Sequence, residues 1–315
     1  MMPPLALLGL DITWDETLRN VILGSMILGL TSGVLGCFAV LRRQSLIGDG
    51  LAHAALPGIC IMYMLTATKS SELLLVGGAI SGLVGTAILM LIPRWSIVKP
   101  ETALGIVLSV FFGFGIMLLT RIQHSSDAGQ SGLDRFIFGQ AATILPRDVV
   151  VMGIVAAAAL GVVVLLFKEL KLLSFDAEFA ASLGFRPGVL GAVLSALMVL
   201  AVMIGLQTVG VILMVSLLIA PAVAARQWVT SLRGMVILAG VFGMAAGVTG
   251  AVASSVFDRL PTGPMIVIAA SIIVFISLLI APGRGVLSAF RTRRVRARRL
   301  RAELVLANHH GANQQ

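Results

Sequence analysis

The composition of this 315-residue chain places it in a membrane: 58% of its residues are hydrophobic, 12% are charged, the mean hydropathy is +1.04 and the net charge is +9. Soluble domains contain about 45–50% apolar and about 25% charged residues, which excludes a soluble globular protein. Apolar runs of about 20 residues recur without the alternation of barrel strands, and the 34 glycines suit closely packed helices. The sequence therefore predicts an all-α, multi-pass membrane protein without a separate soluble domain.

About nine membrane spans are predicted in chain order, after an extracytoplasmic N-terminal segment at 1–16. They form one transmembrane domain at 17–283, and an Arg-rich tail follows at 284–315. Within the connection 121–146, the stretch LDRFIFGQAATI favours a short helix near the membrane surface rather than a span. The predicted spans are 17–41, 44–67, 73–92, 102–120, 147–167, 189–206, 209–225, 234–257 and 264–281.

The basic residues predict how the chain is oriented in the membrane. Connections on the side of the Arg-rich tail carry most of the Lys and Arg residues, beginning with Arg42 and Arg43. Lys and Arg accumulate on the cytoplasmic side, so we expect the N-terminus outside and the C-terminus in the cytoplasm. A basic tail beside a membrane helix favours contact with membrane lipid headgroups over nucleic-acid binding.

The most informative stretch is RRQSLIGDGLAHAALPG, from Arg42 to Gly58. Asp49 and His53 lie four residues apart, which places them on one face of a helix. If Arg43 marks the cytoplasmic interface, Asp49 lies roughly 9 Å and His53 roughly 15 Å into a hydrocarbon core of about 30 Å. Ionisable groups at that depth indicate a functional site, and a carboxylate with an imidazole suits a divalent transition metal.

Pro57 and Gly58 come directly after this pair and predict a break in the helix, because Pro57 lacks a backbone donor. Irregular backbone at membrane depth survives where protein packs around it or where it lines a wet cavity. The combination favours a step in a path for a small cation. The alternative is that the two residues only fix helix packing. Asp49 and His53 would then form a hydrogen bond, or Asp49 would cap a backbone break.

A second informative stretch is the cytoplasmic connection at 174–188. Ser174 or Asp176 can cap a short helix, and Glu178 would lie in its first turn. Phe175, Phe179 and Leu183 recur at helical spacing and form an apolar stripe, which Gly184 and Pro187 would end. Such a helix could lie back on its own bundle or dock in a groove of a partner protein, and its sequence leaves both open.

Four stretches in this order resemble the permease subunits of bacterial ABC importers for manganese, zinc and iron. The strongest surrounds the Asp–His pair, and together the four extend over most of the chain. They are VLRRQSLIGDGLAHAALPGI at 40–59, TALGIVLSVFFGFGI at 102–116, SFDAEFAASLGFRPGVL at 174–190 and VGVILMVSLLIAPAVAA at 209–225.

The resemblance implies a fold similar to that of the vitamin B12 and siderophore importers. It also implies import of a divalent Mn, Zn or Fe ion as the transported substrate, and no permanently bound cofactor. Asp49 and His53 would be metal-pathway residues in a bacterial plasma membrane. The connection at 174–188 would be the coupling helix, with its ATPase contacts at Phe175, Asp176, Glu178, Phe179 and Leu183.

The same resemblance implies the partners. They are cytoplasmic ABC ATPase subunits, an extracytoplasmic metal-binding protein and a second permease chain, identical or related. The chain lacks a Walker A motif (GxxxxGK[ST]), so we expect a permease rather than an enzyme, with ATP hydrolysed by the partner. Two rival functions remain: an ABC permease for an organic metal chelate, and a cation carrier that needs no ATPase. The Asp–His pair argues against the first and the capped helix against the second.

Overall fold

The fold is a bundle of helices, seen in a computed structural model that describes residues 16–42, 44, 47–68, 70–124, 144–208, 210–256, 260–282 and 285. Eleven helices lie within these ranges, which confirms the predicted all-α class. They are α1 (Glu16–Leu41), α2 (Ile47–Thr66), α3 (Ser71–Trp95), α4 (Pro100–His124), α5 (Pro146–Leu165), α6 (Phe167–Phe175), α7 (Ala177–Ser182), α8 (Pro187–Thr208), α9 (Val211–Trp228), α10 (Leu232–Val256) and α11 (Thr262–Ile280).

Seven of the described helices are long and apolar enough to cross a membrane: α1, α3, α4, α5, α8, α10 and α11. The prediction of about nine spans is too high by this measure. The difference comes from helices α2 and α9, of which α2 contains Asp49, His53 and Pro57. Both helices nevertheless pack inside the bundle, α2 against α3, α4, α8 and α9, and α9 against α1, α10 and α11.

Helix α1 is enclosed within the bundle, since α5, α8, α9 and α10 all pack against it. Its contact with α10 is made by glycines that bring the two backbones together. A Cβ atom at Gly33 would collide with the carbonyl of Ala239, and one at Gly243 would collide with the carbonyl of Gly29. Small residues permit this close approach of membrane helices, and the dispersion contacts it creates hold the two helices together.

The largest hydrophobic core lies where α1, α2, α8 and α9 meet. Its fully buried side chains include Leu35 and Phe38 of α1, Ile59 of α2, Met198 of α8 and Leu217 of α9. The outer faces of α3, α4, α5 and α11 instead expose large apolar side chains. This distribution suits a bundle surrounded by lipid, whose tails are as apolar as the side chains they touch.

Three predicted segments lie outside the described residues. These are nearly all of the N-terminal segment, the proposed short helix in the 121–146 connection up to Ile144, and nearly all of the Arg-rich tail. Their predictions therefore remain predictions.

Candidate functional site

Asp49 and His53 face each other on the first turns of α2. The Nε2 atom of His53 lies 3.3 Å from Oδ1 of Asp49, and the two side chains are 16% and 36% exposed, respectively. This confirms the pairing predicted from their spacing. Metal–ligand bonds to nitrogen and oxygen are about 2.0–2.2 Å long, so two neighbouring ligands of one ion lie about 3.0–3.4 Å apart. The pair already has the separation that a shared ion requires.

The pair offers two ligands, not a complete coordination shell. Among the described residues no group of three or more His, Cys, Asp or Glu side chains is positioned to hold a metal ion. A resident structural metal is normally held by four protein ligands. An incomplete, partly exposed pair is better suited to an ion in transit, which must be released as well as bound.

The surroundings of His53 include an aromatic residue that sequence reasoning did not identify. The ring of Phe112, on α4, packs edge-on against the imidazole with centroids 4.6 Å apart and an interplanar angle of 75°. The Nδ1 atom of His53 is buried and has no hydrogen-bond partner among the described residues. The imidazole therefore presents Nε2 toward the carboxylate while Nδ1 stays enclosed.

The predicted break at Pro57 and Gly58 is wrong: α2 runs without interruption from Ile47 to Thr66, with Pro57 inside it. Membrane helices tolerate an internal proline because neighbouring helices support the backbone around it. Gly58 serves a different purpose, since a Cβ atom there would collide with the carbonyl of Gly77 on α3. These two residues therefore belong to a continuous, closely packed helix.

Beyond Pro57, an open groove of about 460 Å³ lies between α2, α3 and α4. Its lining is apolar except for Ser81, and the Ser81 hydroxyl already donates a hydrogen bond to the carbonyl of Ala54 at 2.6 Å. The Asp–His pair is not part of this lining. The groove thus offers no metal ligand and is an apolar surface of the bundle.

The capped helix predicted in this connection is α7, and a second short helix, α6, precedes it and ends at Phe175. The Asp176 carboxylate caps α7 by accepting a hydrogen bond from the backbone N–H of Phe179 at 2.8 Å. Ser174 does not cap, because its hydroxyl donates to the carbonyl of Leu170 at 2.7 Å. Gly184, at φ +88°, adopts the left-handed conformation expected just after a helix end.

The apolar stripe of this connection faces away from the bundle. Phe175 is 62% exposed, Phe179 52% and Leu183 56%, while Ala180 is buried and anchors α7. Glu178 is also exposed. Of the two arrangements that the sequence left open, the exposed stripe favours a surface available to a partner.

Contacts at one end of the bundle join α6 to the end of α1. Phe38, near the end of α1, packs edge-on against Phe167 at the start of α6, with ring centroids 6.4 Å apart. The next turn of α1 brings Arg42 beside Gly191 of α8, where burial lowers the pKa of its guanidinium. The start of α6 thus packs against the end of α1, a few residues before α2 begins at Ile47.

Comparison with known proteins agrees with this architecture. The zinc transport system membrane protein TroC of Treponema pallidum is 53% identical over 283 residues, which are 89% of this chain and 95% of that protein. The manganese transport system membrane protein MntC of Bacillus subtilis is 46% identical over 91% of this chain and 66% of its own length. A solved structure, PsaBC from Streptococcus pneumoniae in complex with Fab, matches with a TM-score of 0.76 at 32% identity, over 88% of this chain and 96% of that one.

The family comparison covers nearly the whole helical bundle. The ABC 3 transport family matches residues 14–281, a range that includes the Asp–His pair, Phe112 and the α6–α7 connection. This confirms the resemblance found in the sequence. The chain belongs to the ABC 3 transport family.

Proposed function

We propose that this chain is the membrane permease subunit of an ATP-driven importer for a divalent transition metal, manganese or zinc. The observation that carries the proposal is the Asp49–His53 pair, whose oxygen and nitrogen atoms lie 3.3 Å apart at one end of α2. Zinc and manganese are the metals named for the relatives TroC and MntC. Iron is named for neither, so it is dropped from the proposal.

The chemistry of the pair suits either metal. Imidazole nitrogen and carboxylate oxygen bind both Mn²⁺ and Zn²⁺, and selection between them depends on geometry rather than on ligand type. Two ligands from this chain would leave positions for water or for groups of a second permease chain. Such a site binds an ion strongly enough to attract it and weakly enough to release it.

The α6–α7 connection is the proposed contact for a cytoplasmic ABC ATPase. The exposed stripe of Phe175, Phe179 and Leu183 presents an apolar surface, and Asp176 and Glu178 lie along the same short segment. A partner groove would bury this stripe as it buries other amphipathic helices. ATP binding and hydrolysis in the partner would then tilt α6 and, through Phe167 and Phe38, the end of α1 before the pair.

The remaining assignments follow from the orientation predicted by the basic residues. The N-terminus would lie outside and the C-terminus in the cytoplasm of the bacterial plasma membrane. An extracytoplasmic binding protein would deliver the ion, and a second permease chain, identical or related, would complete the path. Asp49 and His53 would lie in the half of the membrane next to the cytoplasm.

The test is ATP-dependent uptake of radiolabelled Mn²⁺, Zn²⁺ and Fe²⁺ in a bacterial strain without its own importers. The chain is co-expressed with the ATPase and binding protein of its own operon, and Asp49→Asn and His53→Ala are compared with the unaltered protein. His124→Ala is the matched control, since His124 is exposed at the end of α4 and its ring hydrogen-bonds the carbonyl of Thr120 one turn earlier on the same helix. We expect uptake of Mn²⁺ or Zn²⁺ that both pathway variants abolish and the control retains, with all complexes assembled.

Three results would contradict the proposal. Normal uptake in both Asp49→Asn and His53→Ala would leave the pair with a packing role only. Uptake of an organic metal chelate but of no free ion would favour the chelate permease, and uptake without the ATPase would favour an independent carrier.

A further inference from the structure

Apart from its 3.3 Å contact with Asp49, the His53 ring has no hydrogen bond among the described residues that fixes its orientation. In most metal sites the ligating histidine donates its second ring N–H to a carboxylate or carbonyl, which fixes the ring. Here the Nδ1 atom is buried without such a partner among the described residues, while Nε2 lies beside Asp49. A further contact is needed to hold the ring, because rotation of the imidazole about its Cβ–Cγ bond would move Nε2 away from Asp49 and Nδ1 out of its enclosed position.

Helix α4 supplies that contact because it runs alongside α2 in the same direction. Leu104 of α4 lies against Gly50 near the start of α2, and further along Gly115 lies against Leu56. Phe112 belongs to the same α4 surface, and side chains on a helix lean toward its N-terminus. The Phe112 ring therefore reaches back to the level of His53, where the two rings meet 4.6 Å apart.

We propose that Phe112 is a positioning residue, whose ring holds the imidazole of His53 so that Nδ1 stays in the protein and Nε2 meets the ion beside Asp49. This inference rests on the proposed function and deepens it. Aromatic packing here replaces the hydrogen bond that usually orients a histidine ligand. Because the ring is held before the ion arrives, no conformational entropy is lost in ordering it on binding. This raises the affinity for the ion.

The adjacent residue Phe111 provides a matched control. It has the same side chain, but it packs against the small cluster of Leu89, Ala103 and Val107 and lines the apolar groove. Its loss would weaken helix packing without touching His53. A rise in the KM for metal uptake that occurs in the Phe112 variants but not in Phe111→Ala therefore reports positioning of the imidazole rather than the stability of α4.

The experiment measures the metal concentration dependence of uptake by the assembled complex, giving KM and the maximal rate separately. We expect Phe112→Ala to raise the KM for Mn²⁺ or Zn²⁺ about tenfold, as loss of the contact that orients a metal ligand typically does. Phe112→Leu, which keeps most of the apolar volume, should raise it by about threefold on the same argument. Phe111→Ala should leave the KM within about twofold, even if less complex assembles.

A wild-type KM in both Phe112 variants, or an equal rise in Phe111→Ala, would overturn the inference. Phe112→Leu keeps the test decisive if Phe112→Ala does not assemble. Failure of the proposed function itself has a different signature. In that case Asp49→Asn and His53→Ala would not affect uptake, whereas failure of the positioning role alone leaves both of them inactive.

Discussion

The contact between α1 and α10 and the surroundings of the first half of α2 are packed in opposite ways. Along α1 and α10, backbone meets backbone: added Cβ atoms at Gly29 and Gly243 would each collide with a main-chain carbonyl of the opposite helix. Around the start of α2, an added Cβ atom at Gly48 or Gly50 would meet only the end of a leucine side chain, Leu218 or Leu104.

This difference separates a rigid part of the bundle from an adjustable one. Two backbones in contact can be moved apart only by losing the whole packed surface, whereas the end of a leucine side chain can change rotamer. The Asp–His pair lies in the adjustable part. If the pair is the proposed ion pathway, it has to rearrange during transport, and the α1–α10 contact would supply a fixed frame against which α2 could shift.

The largest expected effect is that of Gly243→Ala. The new methyl group would fall on the carbonyl of Gly29 and force α1 and α10 apart. We expect a loss of about 3 kcal/mol or more in stability, seen as a clear fall in the melting temperature of the purified protein. Gly161→Ala on α5 is the control, because no atom lies within 4 Å of the added Cβ. Equal melting temperatures for the two variants would show that the contact between α1 and α10 is not rigid.

A smaller effect on stability is expected within α2 itself, where a glycine-to-alanine substitution should destabilise the protein more at Gly58 than at Gly50. Gly58→Ala would push α2 away from the carbonyl of Gly77 and should cost about 1–3 kcal/mol. Gly50→Ala meets only Leu104 and should change stability by less than about 1 kcal/mol, since better helix propensity offsets the repacking. Thermal unfolding of both variants checks this order. A larger loss of stability in Gly50→Ala than in Gly58→Ala would show that the start of α2 is as rigid as the rest of the helix.

Sequence reasoning reached the features that depend on local spacing. The facing of Asp49 and His53 follows from the helical repeat, and the cap at Asp176 follows from the preference of a carboxylate for the first free N–H groups of a helix. The spacing of Phe175, Phe179 and Leu183 likewise indicated a shared apolar stripe, although only the structure shows that it is exposed. All of these involve residues a few positions apart on one segment.

Features that depend on packing between distant segments were not predicted. Phe112 is one of several phenylalanines in VFFGFGI, and only the placement of α4 beside α2 shows which one meets His53. Pro57 predicted a break because sequence rules describe an isolated helix, whereas α2 is supported by α3 and α4 on either side of that proline. The close contact of Gly243 with Gly29 joins segments more than 200 residues apart.

The most direct test of the central claim is pulsed electron paramagnetic resonance of Mn²⁺ bound to the purified permease–ATPase complex. This measurement detects the nitrogen of an imidazole coordinated to the ion. The account predicts a nitrogen coupling in the unaltered protein and in His124→Ala that disappears in His53→Ala, together with weaker Mn²⁺ binding in Asp49→Asn. An unchanged nitrogen coupling in His53→Ala would contradict the claim that this imidazole lies on the path of the ion.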